Sequence, residues 1–161
     1  EPLFVERTTL DDPRTVDLVL RLNDELSATY PEPGANHFTL DPESVLLPHG
    51  VMVRADLAGV PVGCGAIRVL DPTRAEIKRM YVEPSYRGTG AGSALLDGLI
   101  AAAREAGYAR LRLDSPDFLT DAHRLYRRRG FEPIEPYPES EIPVDLRVWW
   151  VFMERHLGRG S

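Results

Sequence analysis

A glycine-rich turn between a strand-like segment and an amphipathic helical segment constrains the fold of this sequence more than any other feature. Residues 75–82 (AEIKRMYV) predict a strand, and Gly88, Gly90 and Gly92 follow shortly after it. From Gly90 onward, apolar residues recur at helical spacing up to Gly107. A further strand is predicted over Ala109–Asp114, so the order strand, helix, strand implies a parallel pair with a right-handed crossover.

The segments before the turn predict an antiparallel meander. Val51–Asp56 and Val60–Leu70 read as strands joined by a short link, and the strand over 75–82 is the third. A first strand over Leu3–Thr9 and a helix beginning near Pro13 precede them. The proline-containing stretch from Tyr30 to Pro48 predicts a loop long enough to be a substrate lid.

The remaining segments complete an α/β prediction. Phe118, Ala122, Leu125 and Tyr126 predict one apolar face of a helix that ends at Gly130. Strands are predicted at 131–134 and 148–153, on either side of a proline-rich acidic loop at 136–143. We therefore expect a mixed twisted sheet, an antiparallel meander plus a parallel pair, flanked by helices in one domain over residues 1–161.

Composition excludes several classes of protein. The net charge of −6 argues against a nucleic-acid partner, because such affinity comes largely from clustered Lys and Arg. No apolar stretch is long enough for a spanning helix and no signal peptide is evident, so we expect a cytoplasmic protein without a membrane partner. Cys64 is the single cysteine and the four histidines lack ligand spacing, so no metal site is predicted.

The glycine-rich turn indicates an anion site. Glycines let the backbone approach a ligand, and a helix N-terminus favours negative charge such as a pyrophosphate. The alternative is that these glycines only shape the start of the helix. A dinucleotide-binding fold, and hence a nicotinamide-dependent oxidoreductase, is a second alternative, although its third glycine is replaced by Ser93 and a meander precedes the turn.

Two motifs resemble one known family. The stretch RGTGAG at 87–92 is similar to the Gln/Arg-x-x-Gly-x-Gly/Ala signature of the GNAT superfamily of N-acetyltransferases. The stretch LYRRRGF at 125–131 is similar to the second signature of that family, in which a helix ends in Leu-Tyr, a few polar residues and Gly-Phe. The resemblance covers most of the chain, and it implies central parallel strands that splay apart to admit acetyl-CoA.

The resemblance also implies how acetyl-CoA is bound as a co-substrate. The backbone of Met80, Tyr81 and Val82 is expected to hydrogen-bond the pantetheine arm like an added strand. The pyrophosphate is expected on the turn residues Arg87, Gly88, Thr89, Gly90, Ala91, Gly92 and Ser93.

Two side chains match catalytic positions of the family. Glu76 matches the position where several members keep a glutamate base, which an attacking amine needs in order to lose its proton. Tyr126 matches the tyrosine that the family places near the cofactor sulfur as general acid. The alternatives are an ion-paired strand carboxylate and a core tyrosine. A reaction by direct attack is expected, because Cys64 lies in an apolar strand away from the turn.

The acceptor is expected to be a primary amine of a small molecule or peptide. The family lines its acceptor pocket with the first helix, the loop after it and the loop before the last strand, which nominates Glu25, Tyr30, Glu32 and Asp145. Apolar residues at 149–152 could pair two copies as a homodimer, or else fill the core of one chain. A module that senses acyl-CoA without turnover is the alternative to an enzyme.

Overall fold

The computed structural model describes residues 3–29, 50–140 and 142–158. The strands are β1 (Leu3–Thr8), β2 (Gly50–Leu57), β3 (Val60–Asp71), β4 (Arg74–Val82), β5 (Arg110–Pro116), β6 (Glu132–Pro133) and β7 (Trp150–His156). The helices are α1 (Pro13–Thr29), α2 (Ala91–Glu105) and α3 (Thr120–Arg128), with short 3-10 helices at Pro84–Tyr86 and Val144–Trp149.

The seven strands form one mixed sheet in the order β1-β2-β3-β4-β5-β7-β6. The first four strands form the antiparallel meander, and β4 pairs parallel with β5 after the crossover through α2. β7 then pairs antiparallel with both β5 and β6. The predicted fold class, a meander plus a parallel pair flanked by helices, is confirmed.

Helices cover the two faces of this sheet. The apolar stripe predicted for α2 packs on one face, where Leu95, Leu96 and Leu99 have no exposed surface. α1 contributes Leu18 and Val19 to a second cluster on the other face, together with Met52, Cys64, Ala66 and Tyr81. Cys64 was expected in an apolar strand, and it lies in β3 with its side chain buried.

Close approach of α2 to β3 depends on a glycine in the strand. A Cβ atom at Gly65 would lie 2.8 Å from Cδ1 of Leu99, which is closer than carbon atoms can pack. Glycine in a strand interior often marks such a contact. The sheet and the helix that begins at the glycine-rich turn are therefore held at a short separation.

The C-terminal third differs from the prediction in three places. Phe118 precedes α3 and is 48% exposed, so it is not part of the buried helix face. The strand predicted at 131–134 is reduced to the two residues Glu132 and Pro133, although Ile134 N–H still donates to Phe152 O on β7. Val148 lies in the 3-10 helix that starts where Leu146 donates its N–H to Pro143 O.

The apolar segment 149–152 divides between the core and the surface. Trp150 and Phe152 pack in a buried cluster with Tyr137 and Ile142. Trp149 is 60% exposed. The alternative that this segment fills the core of one chain therefore holds for Trp150 and Phe152.

No helix among the described residues is long and apolar enough to cross a membrane.

Candidate active site

The parallel strands β4 and β5 diverge about halfway along β4. Their ladder runs from Arg74 opposite Arg110 to Ile77 opposite Leu113, whereas β4 continues to Val82. One extra residue bulges from β4 in this stretch, since its register with β3 shifts by one between residues 78 and 81. Residues 78–82 of β4 therefore form no ladder with β5, and the two strands leave a gap at this point.

The glycine-rich turn places a helix N-terminus at the end of that edge. Gly88 and Gly90 have φ angles of 86° and 94°, which side-chain-bearing residues rarely adopt. Gly90 is the N-cap of α2 and offers no side-chain acceptor, so the amides of residues 91–93 keep their hydrogen-bonding capacity. The exposed Arg87 anchors the turn by donating from Nε to Val82 O at 2.9 Å. Such a terminus favours an anion.

A row of alternating charges crosses the sheet beside the gap. Arg68 on β3 lies opposite Glu76 on β4, which is in register with Arg112 on β5, and Arg112 lies opposite Glu154 on β7. Arg68 Nη2 donates to Glu76 Oε1 at 2.8 Å, and Arg112 Nε donates to Glu154 Oε2 at 2.6 Å. The row is on the face of the sheet opposite α2.

Glu76 is the most enclosed member of this row. Its side chain has no exposed surface, and Lys78 Nζ lies 3.9 Å from Oε1. Tyr137 donates its hydroxyl to Oε2 at 2.5 Å. Burial first, and the charge of Asp114 second, raise the pKa of Glu76, while Lys78, Arg68 and the Tyr137 hydrogen bond oppose the rise. The carboxyl group therefore titrates closer to neutrality than an exposed glutamate.

A turn over residues 137–140 supplies hydrogen-bond partners for the carboxylates of Glu76 and Asp114. The Ser140 N–H donates to Tyr137 O at 3.1 Å and closes the turn. The Ser140 hydroxyl donates to Asp114 Oδ2 at 3.0 Å, and the backbone oxygen of Glu139 accepts a hydrogen bond from Arg68 at 2.7 Å. The turn therefore joins β3, β4 and β5 at the point where the gap begins.

Tyr126 is fixed by the way in which α3 ends. Phe131 N–H donates to Tyr126 O and Gly130 N–H donates to Arg127 O, with Gly130 at a φ angle of 89°. These two bonds form a Schellman motif, in which the residue after the glycine contacts the helix. The rings of Phe131 and Tyr126 accordingly lie 6.0 Å apart. The spacing of the LYRRRGF stretch thus produces a helix cap that orients the tyrosine.

The charge of Asp114, which acts on Glu76, also acts on Tyr126. Its side chain is 7% exposed. Burial first, and the charge of Asp114 second, raise the pKa of Tyr126 to about 12. Tyr126 therefore stays protonated throughout the physiological range and can donate a hydrogen bond.

The residues nominated for acceptor binding are placed only in part. Tyr30 and Glu32 lie outside the described residues, and Glu25 lies in α1, where its side chain is not described. Asp145 is exposed on the 3-10 helix before β7. Within residues 3–29, 50–140 and 142–158, no cluster of acidic, histidine or cysteine side chains could hold a metal ion.

Sequence reasoning missed the partners of Glu76. Tyr137 is 61 residues away in a proline-rich loop, and no local periodicity places it. Arg68 could have been found, because it is a charged residue in an apolar strand and the hairpin register sets it opposite Glu76. Asp114 was noted at the end of a strand, but its influence on two other groups depends on where β4 and β5 diverge.

Comparison with known proteins agrees with this geometry. The acetyltransferase (GNAT) family matches residues 17–131. An IAA acetyltransferase from Azospirillum brasilense is 34% identical over 144 residues, which is 88% of this chain and 90% of that protein. An uncharacterised N-acetyltransferase from Schizosaccharomyces pombe is 40% identical over 98 residues, but the match spans only 60% of this chain and 60% of that relative.

A solved structure shares the whole fold. A Klebsiella pneumoniae protein of the acyl-CoA N-acyltransferase class superposes with a TM-score of 0.76 and 27% identity, covering 97% of this chain and 98% of its own. Residues 17–131, which the family matches, contain the diverging parallel strands, the glycine-rich start of α2 and the capped tyrosine of α3. The chain belongs to the acetyltransferase (GNAT) family.

Proposed function

We propose that this protein transfers an acetyl group from acetyl-CoA to a primary amine of a small molecule or peptide by direct attack. The observation that carries the proposal is the gap between β4 and β5. Along one side β4 continues without a ladder to β5, the N-terminus of α2 has no side-chain cap at the end of the gap, and the titratable Glu76 lies beside its base. Family membership supplies the reaction class.

The proposed position of acetyl-CoA follows from this gap. The pantetheine arm would extend the sheet along the backbone of Met80, Tyr81 and Val82. The pyrophosphate would accept hydrogen bonds from the turn and the first turn of α2, over Arg87–Ser93. The residues present fit this group, because the N-terminal amides of α2 have no side-chain cap.

Glu76 is the proposed general base. An amine attacks the thioester in its neutral form, so a group near the site must accept a proton. A base works best when its pKa approaches the working pH, and burial moves Glu76 in that direction. Since its side chain has no exposed surface, the proton would arrive along hydrogen bonds rather than through direct contact with the amine.

Tyr126 is the proposed donor to the departing thiolate. Its pKa of about 12 is well above the value of about 8.5 for a thiol, so complete proton transfer to the sulfur is uphill. A hydrogen bond to the developing negative charge requires no such transfer and stabilises the transition state. We therefore assign Tyr126 to charge stabilisation, with the thiolate taking its final proton from solvent.

A second candidate function is an acyl-CoA-binding sensor without turnover. The complete enclosure of Glu76 favours it, because a carboxylate held by Arg68 and Tyr137 is also a stable structural element.

The acidic and polar groups proposed to receive the acceptor amine in an enzyme remain Glu25, Tyr30, Glu32 and Asp145. A sensor would not need them.

Release of CoA thiol separates the two functions. The protein is incubated with acetyl-CoA and a panel of amino acids, polyamines, aminoglycosides and peptides with free N-termini. An acetyltransferase releases thiol in proportion to one class of amine. A sensor binds acetyl-CoA, as shown by a raised melting temperature, but gives no amine-dependent release with any class.

A further inference from the structure

Packing on two sides of the Tyr137 ring holds its hydroxyl on Glu76. Its side chain is 3% exposed, and its ring packs edge-on against Phe152 with centroids 5.5 Å apart. The guanidinium of Arg112 lies 4.9 Å from the centre of the ring. A ring held from two sides has little freedom, so its hydroxyl stays directed at Oε2 of Glu76.

The two oxygens of Glu76 have partners of different chemical kinds. Oε1 accepts hydrogen bonds from Nε and Nη2 of Arg68 at 3.1 Å and 2.8 Å. A guanidinium only donates, whereas a phenol can donate to a carboxylate and accept from a carboxylic acid. Protonation at Oε2 would therefore preserve the contact with Tyr137, with donor and acceptor exchanged.

Charged groups act on Glu76 from each described strand beside it. Asp114 on β5 favours the protonated acid, whereas Arg68 on β3 and Lys78 on β4 favour the carboxylate. Arg112 on β5 is in register with Glu76, and its guanidinium lies over the ring of Tyr137. Tyr137 is the one uncharged hydrogen-bond donor among these groups, so its contribution can be removed without adding or removing a charge.

We propose that Tyr137 is a positioning residue for Glu76, whose carboxyl group it holds in one orientation both before and after that group takes a proton from the acceptor amine. The role rests on the proposed function of Glu76 as general base. The contact itself, however, can be measured without an amine substrate.

The test is a titration of Glu76 by carboxyl-carbon NMR in protein labelled with 13C-glutamate. The Glu76 resonance is identified by its absence from Glu76→Gln. The Tyr137 hydroxyl bonds the carboxylate more strongly than the neutral acid, because only the bond to the carboxylate is charge-assisted, so Tyr137→Phe should raise the Glu76 midpoint by about one pH unit. Tyr108→Phe, which alters a half-buried tyrosine at the far end of α2, should leave the midpoint unchanged. An unchanged midpoint in Tyr137→Phe would overturn the proposal.

A second variant covers the case in which Tyr137→Phe does not fold. Site-specific replacement of Tyr137 by 3-fluorotyrosine keeps the ring and the hydroxyl but makes the phenol more acidic, and hence a stronger donor. The Glu76 midpoint should then fall below that of the wild type. A midpoint equal to or above the wild-type value would contradict a hydrogen bond that controls this carboxyl group.

Kinetics distinguish failure of this inference from failure of the proposed function. If Glu76 is the base, the acid limb of kcat/KM should move upward in Tyr137→Phe by the same amount as the NMR midpoint, with KM for acetyl-CoA unchanged. A moved NMR midpoint with an unmoved acid limb would retain the contact but remove Glu76 from the reaction. If neither the acid limb nor the NMR midpoint moves, Tyr137 is not a positioning residue for Glu76. The proposed role of Glu76 as base is then unaffected.

Discussion

Oγ of Ser115 and Nε2 of His123 lie 3.0 Å apart inside the protein, and this hydrogen bond ties the end of β5 to α3. Both side chains are buried, at 4% and 5% exposed. Burial first, and the charge of Arg127 second, lower the pKa of His123, so its ring is neutral at pH 7. Because His123 and Tyr126 lie in the same helix, the bond also links the helix that carries Tyr126 to β5.

The buried His123 should make the stability of the protein depend on pH. With its folded pKa below the unfolded value of about 6.5, the unfolded state binds a proton first as the pH falls. This histidine therefore reduces the free energy of unfolding as the pH falls below 6.5, and the loss is complete below the folded pKa. His123→Gln should remove this component, measured as the difference in urea unfolding between pH 7.5 and pH 5.5.

His156→Gln is the control for that experiment, since its side chain is 70% exposed and its pairing with Glu154 at 3.6 Å is screened by solvent. It should keep the wild-type change in stability between the two pH values. An identical change in wild type and His123→Gln would show that the buried ring does not titrate differently in the folded state.

The left-handed backbone at Gly90 should matter more than the mere presence of glycine in the turn. Gly90→Ala places a side chain at a φ angle of 94° and should cost about 1 to 3 kcal/mol of unfolding free energy. It should also weaken the thermal stabilisation by acetyl-CoA, because the amides of α2 would be displaced. Urea unfolding and melting with acetyl-CoA measure the two effects.

Gly92→Ala is the neighbouring control. The nearest atom to its Cβ would be Cδ2 of Leu125 at 3.7 Å, an ordinary contact, and the residue lies inside α2. Its stability should be equal to or above that of the wild type. If both variants lose the same stability, backbone conformation at residue 90 is not the cause.

A buried arginine should contribute strongly to stability away from the active site. Arg54 is 1% exposed and forms ion pairs with Glu6, Asp12 and Asp56 at 2.5 Å to 2.8 Å. Arg54→Met leaves these carboxylates without their shared cation and should cost about 3 kcal/mol in urea unfolding. Arg7→Met removes an exposed pair with Glu105 and should change stability by less than about 1 kcal/mol. Equal losses would contradict the network.

Loss of the Tyr126 hydroxyl should affect the rate but not the fold. Tyr126→Phe keeps the ring contact with Phe131 and the helix cap, so the melting temperature should change little. The rate of acetyl transfer should fall about 100-fold, the usual effect of removing one donor to a developing charge. Because the pKa of Tyr126 is about 12, the wild-type rate should show no loss from this group below pH 10.

Tyr108→Phe serves as the control for a lost phenol elsewhere. It should transfer acetyl groups at the wild-type rate. Wild-type turnover in Tyr126→Phe would remove Tyr126 from the mechanism and leave it as a packing residue.

The sequence predicted the local parts of the site well. The strand, the glycines at 88, 90 and 92 and the amphipathic helix are consecutive, and their chemistry depends on backbone angles that glycine permits. The capped end of α3 was likewise predictable, because a Schellman motif is a local pattern ending in Gly130. Consecutive residues carry such signals directly.

The acid-base part of the site was less predictable because it depends on long-range contacts. Glu76 was nominated, yet the Asp114 charge that raises its pKa and the Tyr137 hydrogen bond that opposes the rise both come from other elements. The turn at 137–140 was read only as a loop. Its role follows from three hydrogen bonds to β3, β4 and β5, none of which leaves a periodic trace in the sequence.

The most direct test of the account compares the pH dependence of amine-dependent CoA release in wild type, Glu76→Gln and the exposed control Glu135→Gln. The account predicts that the wild-type and Glu135→Gln rates fall on the acid side as Glu76 becomes protonated. It predicts that kcat/KM for the amine in Glu76→Gln is lower by at least about 100-fold, with undiminished binding of acetyl-CoA. A Glu76→Gln protein that keeps the wild-type rate and the same acid limb would contradict the assignment of Glu76 as the base.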